Sequence, residues 1–360
     1  MNRKLIDYAK EKEREEELQK SGVMRMDLRR RFATAAAAFA AVLILGTGAY
    51  AATQYFSLDF FASRNDGPKL TEEVKQMIEE KPEVTVQKTE GSRDILNYEV
   101  SEVLCDSRNL VATVEISVKE PDKYFVFTGT DDVVTPMEIL QMGIDSMDSI
   151  GTYCKKRGMQ PVLVDVDCFD EKTGRLLSNS LASTKYTSPG KVTYMFSANR
   201  LTADREFVMG LKPTVCLFDG EKQVAIYRDD LLEVQVKDKS TEQTAFYEPE
   251  KKEPVEVAGG NSYSIDRAEL ISTEVGSYLT VDYTWHGKKS DECQIFWTLC
   301  DADGKEVSRN PLVRDGGCEW LGGKHWQSKL EFVNIGQPDV IHIREIAEDG
   351  GRVITLKKKK

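Results

Sequence analysis

The chain has 360 residues, with 49 Lys and Arg against 60 Asp and Glu, a formal net charge of −11. That acidic balance argues against nucleic acid as a partner. The three histidines, His286, His325 and His342, are scattered without ligand spacing, which argues against a zinc site, and the length suffices for two ordinary domains.

From the N-terminus, residues 1–31 hold ten basic and seven acidic residues, net +3, which leaves −14 for the rest. Leu5 and Tyr8 share one face of a charged helical stretch, and Leu18 follows the charge-dense run. These three are the candidate partner-binding residues of a stub too polar to fold alone. A solvated, topology-setting tail is the other reading of the same residues. Arg29, Arg30 and Arg31 then precede residues 32–52, which carry no charge. At about 1.5 Å per residue this run reaches about 31 Å, the thickness of a bilayer core. The expectation is a transmembrane helix over 32–52, with the arginines as topology signal, residues 1–31 in the cytoplasm and the bulk outside. A signal peptide cut after Ala51 is the rival. The long, mixed-charge leading segment and the length of the apolar run favour the uncleaved anchor.

Residues 53–90 form the juxtamembrane segment. Leu70, Val74, Met77 and Ile78 fall at helical spacing between Pro68 and Pro82 and predict a short amphipathic helix packed on the domain that follows. A cut site for regulated proteolysis is expected near residues 55–68.

Strand patterns dominate beyond this point. Residues 98–104 and 110–116 alternate around a turn at 106–109, and residues 263–271 and 278–283 repeat the hairpin 165 residues later. Residues 162–170 run through a glycine turn into Leu176, and residues 295–301 do the same into Val307, 132 residues later. A duplication with an insertion of about 33 residues accounts for both offsets. The insertion falls at 135–160 and includes a helix over 149–156. The predicted fold class is mainly β: one N-terminal transmembrane helix, then two tandem immunoglobulin-like β-sandwich domains at 91–240 and 261–360, the first with a helical insertion. Residues 241–260, rich in Pro and charge, are expected to be a linker.

Catalytic signals are absent: no metalloprotease, nucleophile-elbow, phosphate-loop or dinucleotide fingerprint occurs, and no cofactor is implied. Asp301-Ala302-Asp303-Gly304 has the opening of a calcium loop, but Lys305 and Leu312 stand where ligands belong, so a hairpin turn explains it better. Asp165, Asp167 and Asp170 form a carboxylate group consistent with ordinary strand alternation. Trp285, His286, Trp320, His325 and Trp326 could line a ligand face, although indoles in a sandwich are more often core. Seven cysteines leave two readings, a disulfide framework with one odd thiol or buried small hydrophobes.

The arginine triplet with its alanine-rich run, the stretch 100–110, Pro121-Asp122-Lys123-Tyr124 and the stretch 150–158 together resemble membrane-anchored anti-sigma-factor-like proteins of Gram-positive bacteria. The resemblance implies an extracytoplasmic-function sigma factor as inner partner, the lipid bilayer around the span and an outer body that senses an unidentified ligand. It departs from many such regulators in having no His or Cys in residues 1–31. A cell-envelope binding or adhesion module without signalling is the alternative.

Overall fold

A computed structural model describes residues 57–64, 70–129, 132–134, 147–177, 179–200, 204–220, 222–257, 260–287, 294–307, 309–310, 312, 317–346 and 351–359. Two short helices lead: α1 (Ser57–Arg64) and α2 (Glu72–Met77). Thr71 caps α2 by accepting from the Val74 N–H, and Glu72 and Glu73 lie in its first turn, where they favour the positive end of the helix dipole.

The first unit pairs β3 (Leu96–Cys105) with β4 (Asn109–Val118), β4 with β9 (Lys191–Asn199), and β9 with β8 (Asn179–Ser188). β1 (Glu79–Glu80) lies on the other flank of β3. A second sheet pairs β7 (Gln160–Asp170) with β10 (Glu206–Asp219), β10 with β12 (Leu231–Lys237), and β12 with β2 (Val84–Gln87). The inner faces of the two sheets share one hydrophobic core. β5 (Tyr124–Thr128) pairs parallel to β7, β6 (Asp132–Val134) pairs parallel to β8, and α3 (Met147–Arg157) follows them before β7, so the first unit's added strands, one in each sheet, begin ahead of the insertion expected at 135–160. β11 (Lys222–Arg228) pairs with the far end of β10.

The second unit repeats this ladder. β13 (Gln243–Pro249) pairs with β15 (Asn261–Ser272), β15 with β16 (Ser277–Trp285), β16 with β19 (His325–Phe332), and β19 with β18 (Gly317–Gly322). β17 (Trp297–Cys300) pairs with β20 (Val340–Glu345), β20 with β21 (Val353–Lys358), and β21 with β13. Strand for strand, the order matches the first unit. The difference lies in the leading strand. In the first unit it breaks at Lys81, which takes φ 49°, and Pro82, so β1 and β2 serve separate sheets. In the second, β13 runs unbroken and joins both halves into one nine-stranded sheet, a half-barrel curled around its own core.

The duplication reaches a single-residue irregularity. A bulge interrupts β3 between Val100 and Glu102, and another interrupts β15 between Ile265 and Arg267, 165 residues on. In β3, Leu96 and Val100 enter the core before the bulge and Val103 and Cys105 after it. In β15 the change is from Tyr263 and Ile265 to Ala268 and Leu270. An extra residue inverts the alternation, so each bulge re-aims the strand's second half.

These findings correct the expected fold class. Among the described residues no helix is long and apolar enough to cross a membrane, so a transmembrane, single-pass architecture is not supported; residues 32–52 lie outside the described residues. The units are not immunoglobulin-like either. In that fold the chain crosses to the opposite sheet between its second and third strands, whereas here the second and third strands form a hairpin within one sheet. The expected linker is not one: Ala245, Tyr247 and Pro249 are buried on one face of β13, and β14 (Val255–Val257) pairs with β15. Pro and charge suggested a solvated tether, but period-2 burial of Ala245, Tyr247 and Pro249 carries more information than composition. The first unit likewise begins with β1, ahead of the expected boundary at residue 91.

Candidate functional site at the junction of the two units

The bulge in β3 turns Glu102, Leu104 and Asp106 to the sheet's outer face, where α1, α2 and the second unit meet. Glu102 is buried and accepts from the Leu58 N–H at 2.9 Å, placing a carboxylate at the start of α1. Leu58, Phe61 and Ala62 of α1, with Val74 and Met77 of α2, pack onto Leu104, Val111 and Met195. Leu312 of the second unit closes the same cluster, and Val275 packs against it. Residues 55–56 and 65–68 of the expected cut site lie outside the described residues, and its middle is a helix with three fully buried side chains.

Asp106 is the polar centre of the junction. It occupies the turn between β3 and β4, where its Oδ1 accepts from the backbone N–H groups of Arg108 and Asn109. Its Oδ2 accepts from the hydroxyls of Thr273 and Tyr278, both in the second unit. Burial raises its carboxyl above the usual carboxylate range, against the lowering by these four donors. The same burial, with the Asp106 charge, pushes the Tyr278 phenol well up. Thr273 also accepts from the Val275 and Gly276 N–H groups, which shapes the β15–β16 turn. A Cβ at Gly276 would come within 2.7 Å of Asn310 Nδ2 and 3.1 Å of the Phe332 carbonyl oxygen, so glycine lets that turn pack closely against its own unit.

A buried ion pair secures the connection. Arg200 donates to Asp238 and to the Asp106 carbonyl, with side chains 2% and 3% exposed. Burial would raise Asp238, but hydrogen bonds from Ser240 and Arg200 outweigh it and hold the carboxyl low. Thr241 N–H donates to Glu274 at 2.9 Å, tying the chain between the units to the same turn.

Other sequence candidates are dispersed. Leu5, Tyr8, Leu18, Arg29, Arg30 and Arg31 lie outside the described residues. The aromatic group divides: Trp285 and Trp326 are buried in the half-barrel, while His286, Trp320 and His325 are exposed. Ser264 Oγ lies 2.7 Å from His286 Nε2, a nucleophile–base spacing, but on an open sheet face with no third group orienting the imidazole among the described residues. Asp167 pairs with Arg228, and Asp170 and Asp301 each accept from backbone N–H groups of their own turns. No group of metal-ligating side chains occurs among the described residues. Cys105, Cys154, Cys168, Cys216 and Cys300 are buried thiols outside any disulfide, and Cys318 is a half-buried thiol outside any disulfide. Burial pushes the Cys154 thiol up to about 12. Sequence reasoning saw 106–109 only as a turn; the buried acid could be signalled only by its partners, which lie 167 and 172 residues away.

No protein-family model and no curated protein matches the chain. Among solved structures, a conserved domain protein from Bacillus anthracis is similar at 14% identity and TM-score 0.45, over 84% of this chain and 97% of that one. The complex of Dpr2 Ig1-Ig2 with DIP-Theta Ig1-Ig3 gives 8% identity and TM-score 0.16, over 72% and 98%. At these values neither neighbour assigns a function.

Proposed function

We propose that the protein is a non-catalytic sensing body that relays a change in its paired β units to the segment preceding Ser57. The observation that supports the reading is the seat of α1. Its buried residues rest on the first unit while Leu312 of the second closes the same cluster, so displacing one unit changes the contacts of a helix covalently continuous with residues 1–56. Close-packed junctions switch between discrete packings rather than deform smoothly, which suits a relay. The partner proposed for the N-terminal segment is an extracytoplasmic-function sigma factor, engaged through Leu5, Tyr8 and Leu18.

In-cell photo-crosslinking from Leu5 or Tyr8, with mass spectrometry of the captured protein, tests the proposal. Capture of a sigma factor, at a level altered by Leu312→Ala, is the expected result. If none is captured and residues 57–360 alone retain full activity, the relay is wrong and a cell-envelope binding module is the better account.

A further inference from the structure

The hairpin joining β18 to β19 carries the protein's exposed tryptophan. Trp320 is 49% exposed and Leu321 beside it 52%, whereas Trp285, Trp297 and Trp326 are buried. Trp320 faces Trp326 across the ladder, so its base continues the half-barrel core out to the last strand. The pairing shifts between Trp320 and Gly322, which leaves Leu321 as the extra residue of a bulge. Gly322 and Gly323 close the turn at φ 118° and 57°, and a Cβ on either would meet nothing within 4 Å. The tip therefore projects clear of its neighbours.

The polar groups around the tip are settled in a way that suits an apolar medium. Trp320 Nε1 donates to the Gly323 carbonyl at 3.2 Å, so the indole takes no orphaned donor into apolar surroundings. Glu319 is paired with Lys329 at 3.4 Å. Asp266, two strands away on β15, accepts from Thr284 and lies 3.9 Å from His325. Lys324, on the far side of the turn, is exposed and forms no ion pair among the described residues. The charge presented at the turn itself is therefore that of Lys324.

The tip stands at the end of the second unit remote from the junction. The β15–β16 turn meets the first unit through Thr273, and at the other end of β16 the Trp285 N–H donates to the Lys324 carbonyl at 2.8 Å. Two apolar side chains flanked by glycine and charge are too small a patch for a specific protein interface, which takes about 800 Å² from each partner. A bilayer surface makes no such demand. Indole rings settle at its headgroup level, and a lysine stem lies along apolar surface while its ammonium rests among anionic headgroups.

We propose that this tip makes peripheral contact with an anionic lipid surface, Trp320 and Leu321 entering the interfacial layer and Lys324 meeting headgroup phosphates. The contact is that of one hairpin resting in the surface, not a span of the bilayer. It stands apart from the relay proposed above.

Tryptophan fluorescence of the full chain tests it, because Trp320 is exposed, the other three tryptophans are buried and residues 1–56 contain none. Vesicles of phosphatidylcholine, with and without phosphatidylglycerol, are compared with the same lipids brominated along the acyl chains, which quench an indole that reaches them. Quenching is expected with brominated lipid, more fully when phosphatidylglycerol is present, and absent in Trp320→Phe. Leu321→Asp should lower the ratio of quenched to unquenched tip by about tenfold or more, through loss of the leucine's burial. Lys324→Glu should remove the preference for phosphatidylglycerol. Circular dichroism checks the fold of each variant. Equal emission with brominated and plain lipid, or quenching that survives Trp320→Phe, would overturn the inference. So would an emission shift that grows with protein concentration in the absence of lipid, which would give the tip to a second copy of the chain.

Discussion

At the scale of single residues, two neighbouring acids should respond to pH with opposite sign. Asp106 is held above its ordinary value of 3.8, so its contribution to stability is full below that value and is lost as pH rises through its elevated pKa. Asp238 is held below 3.8, so its contribution is present above that value and is lost as pH falls through its depressed pKa. Urea unfolding across pH should therefore lose the first limb in Asp106→Asn and the second in Asp238→Asn. Tyr278→Phe removes one of two side-chain donors to a buried carboxyl and should cost about 1.5–3 kcal/mol, read as a lower urea midpoint at unchanged slope. Among the six described cysteines, Cys318 should alkylate first in the native protein, because the other five are buried and a thiol such as Cys154, pushed up to about 12, has little thiolate. Mass mapping after brief iodoacetamide treatment checks that order.

At the scale of elements, the bulges explain why the outer face of β3 can host α1. Were Ser101 paired in regular alternation instead of bulged out, Leu104 would turn into the core and Val103 outward, and the seat for Phe61 would be lost. Phe61→Ala should cost about 3–5 kcal/mol, since a fully buried ring leaves a cavity between sheet and helix. The same change should expose α1 to limited proteolysis before either β unit is cut. Protection of α1 equal to that of the parent protein would show that the helix is held by something other than this contact.

At the scale of the whole molecule, the units share a junction that is apolar around Leu312 and polar around Asp106, so they should unfold together. Calorimetry should give one transition for the parent chain and two for Leu312→Ala combined with Tyr278→Phe. Two transitions in the parent would mean that the junction contributes too little to couple the units.

Local pattern determined a good deal of this architecture. Alternation in residues 98–104 and 110–116, the spacing of Leu70, Val74, Met77 and Ile78, and the 165-residue offset between hairpins are properties of short windows, and the structure places strands, a helix and a repeated hairpin there. Pairing between distant strands is not such a property. Whether β13 continues or breaks, and hence whether a unit has two sheets or one, depends on Lys81 and Pro82 against an unbroken run from Gln243 to Pro249, and sandwich and half-barrel share the same hairpins. The junction was the least legible part. Asp106 reads as a turn residue, and only the fold brings Thr273 and Tyr278 against it.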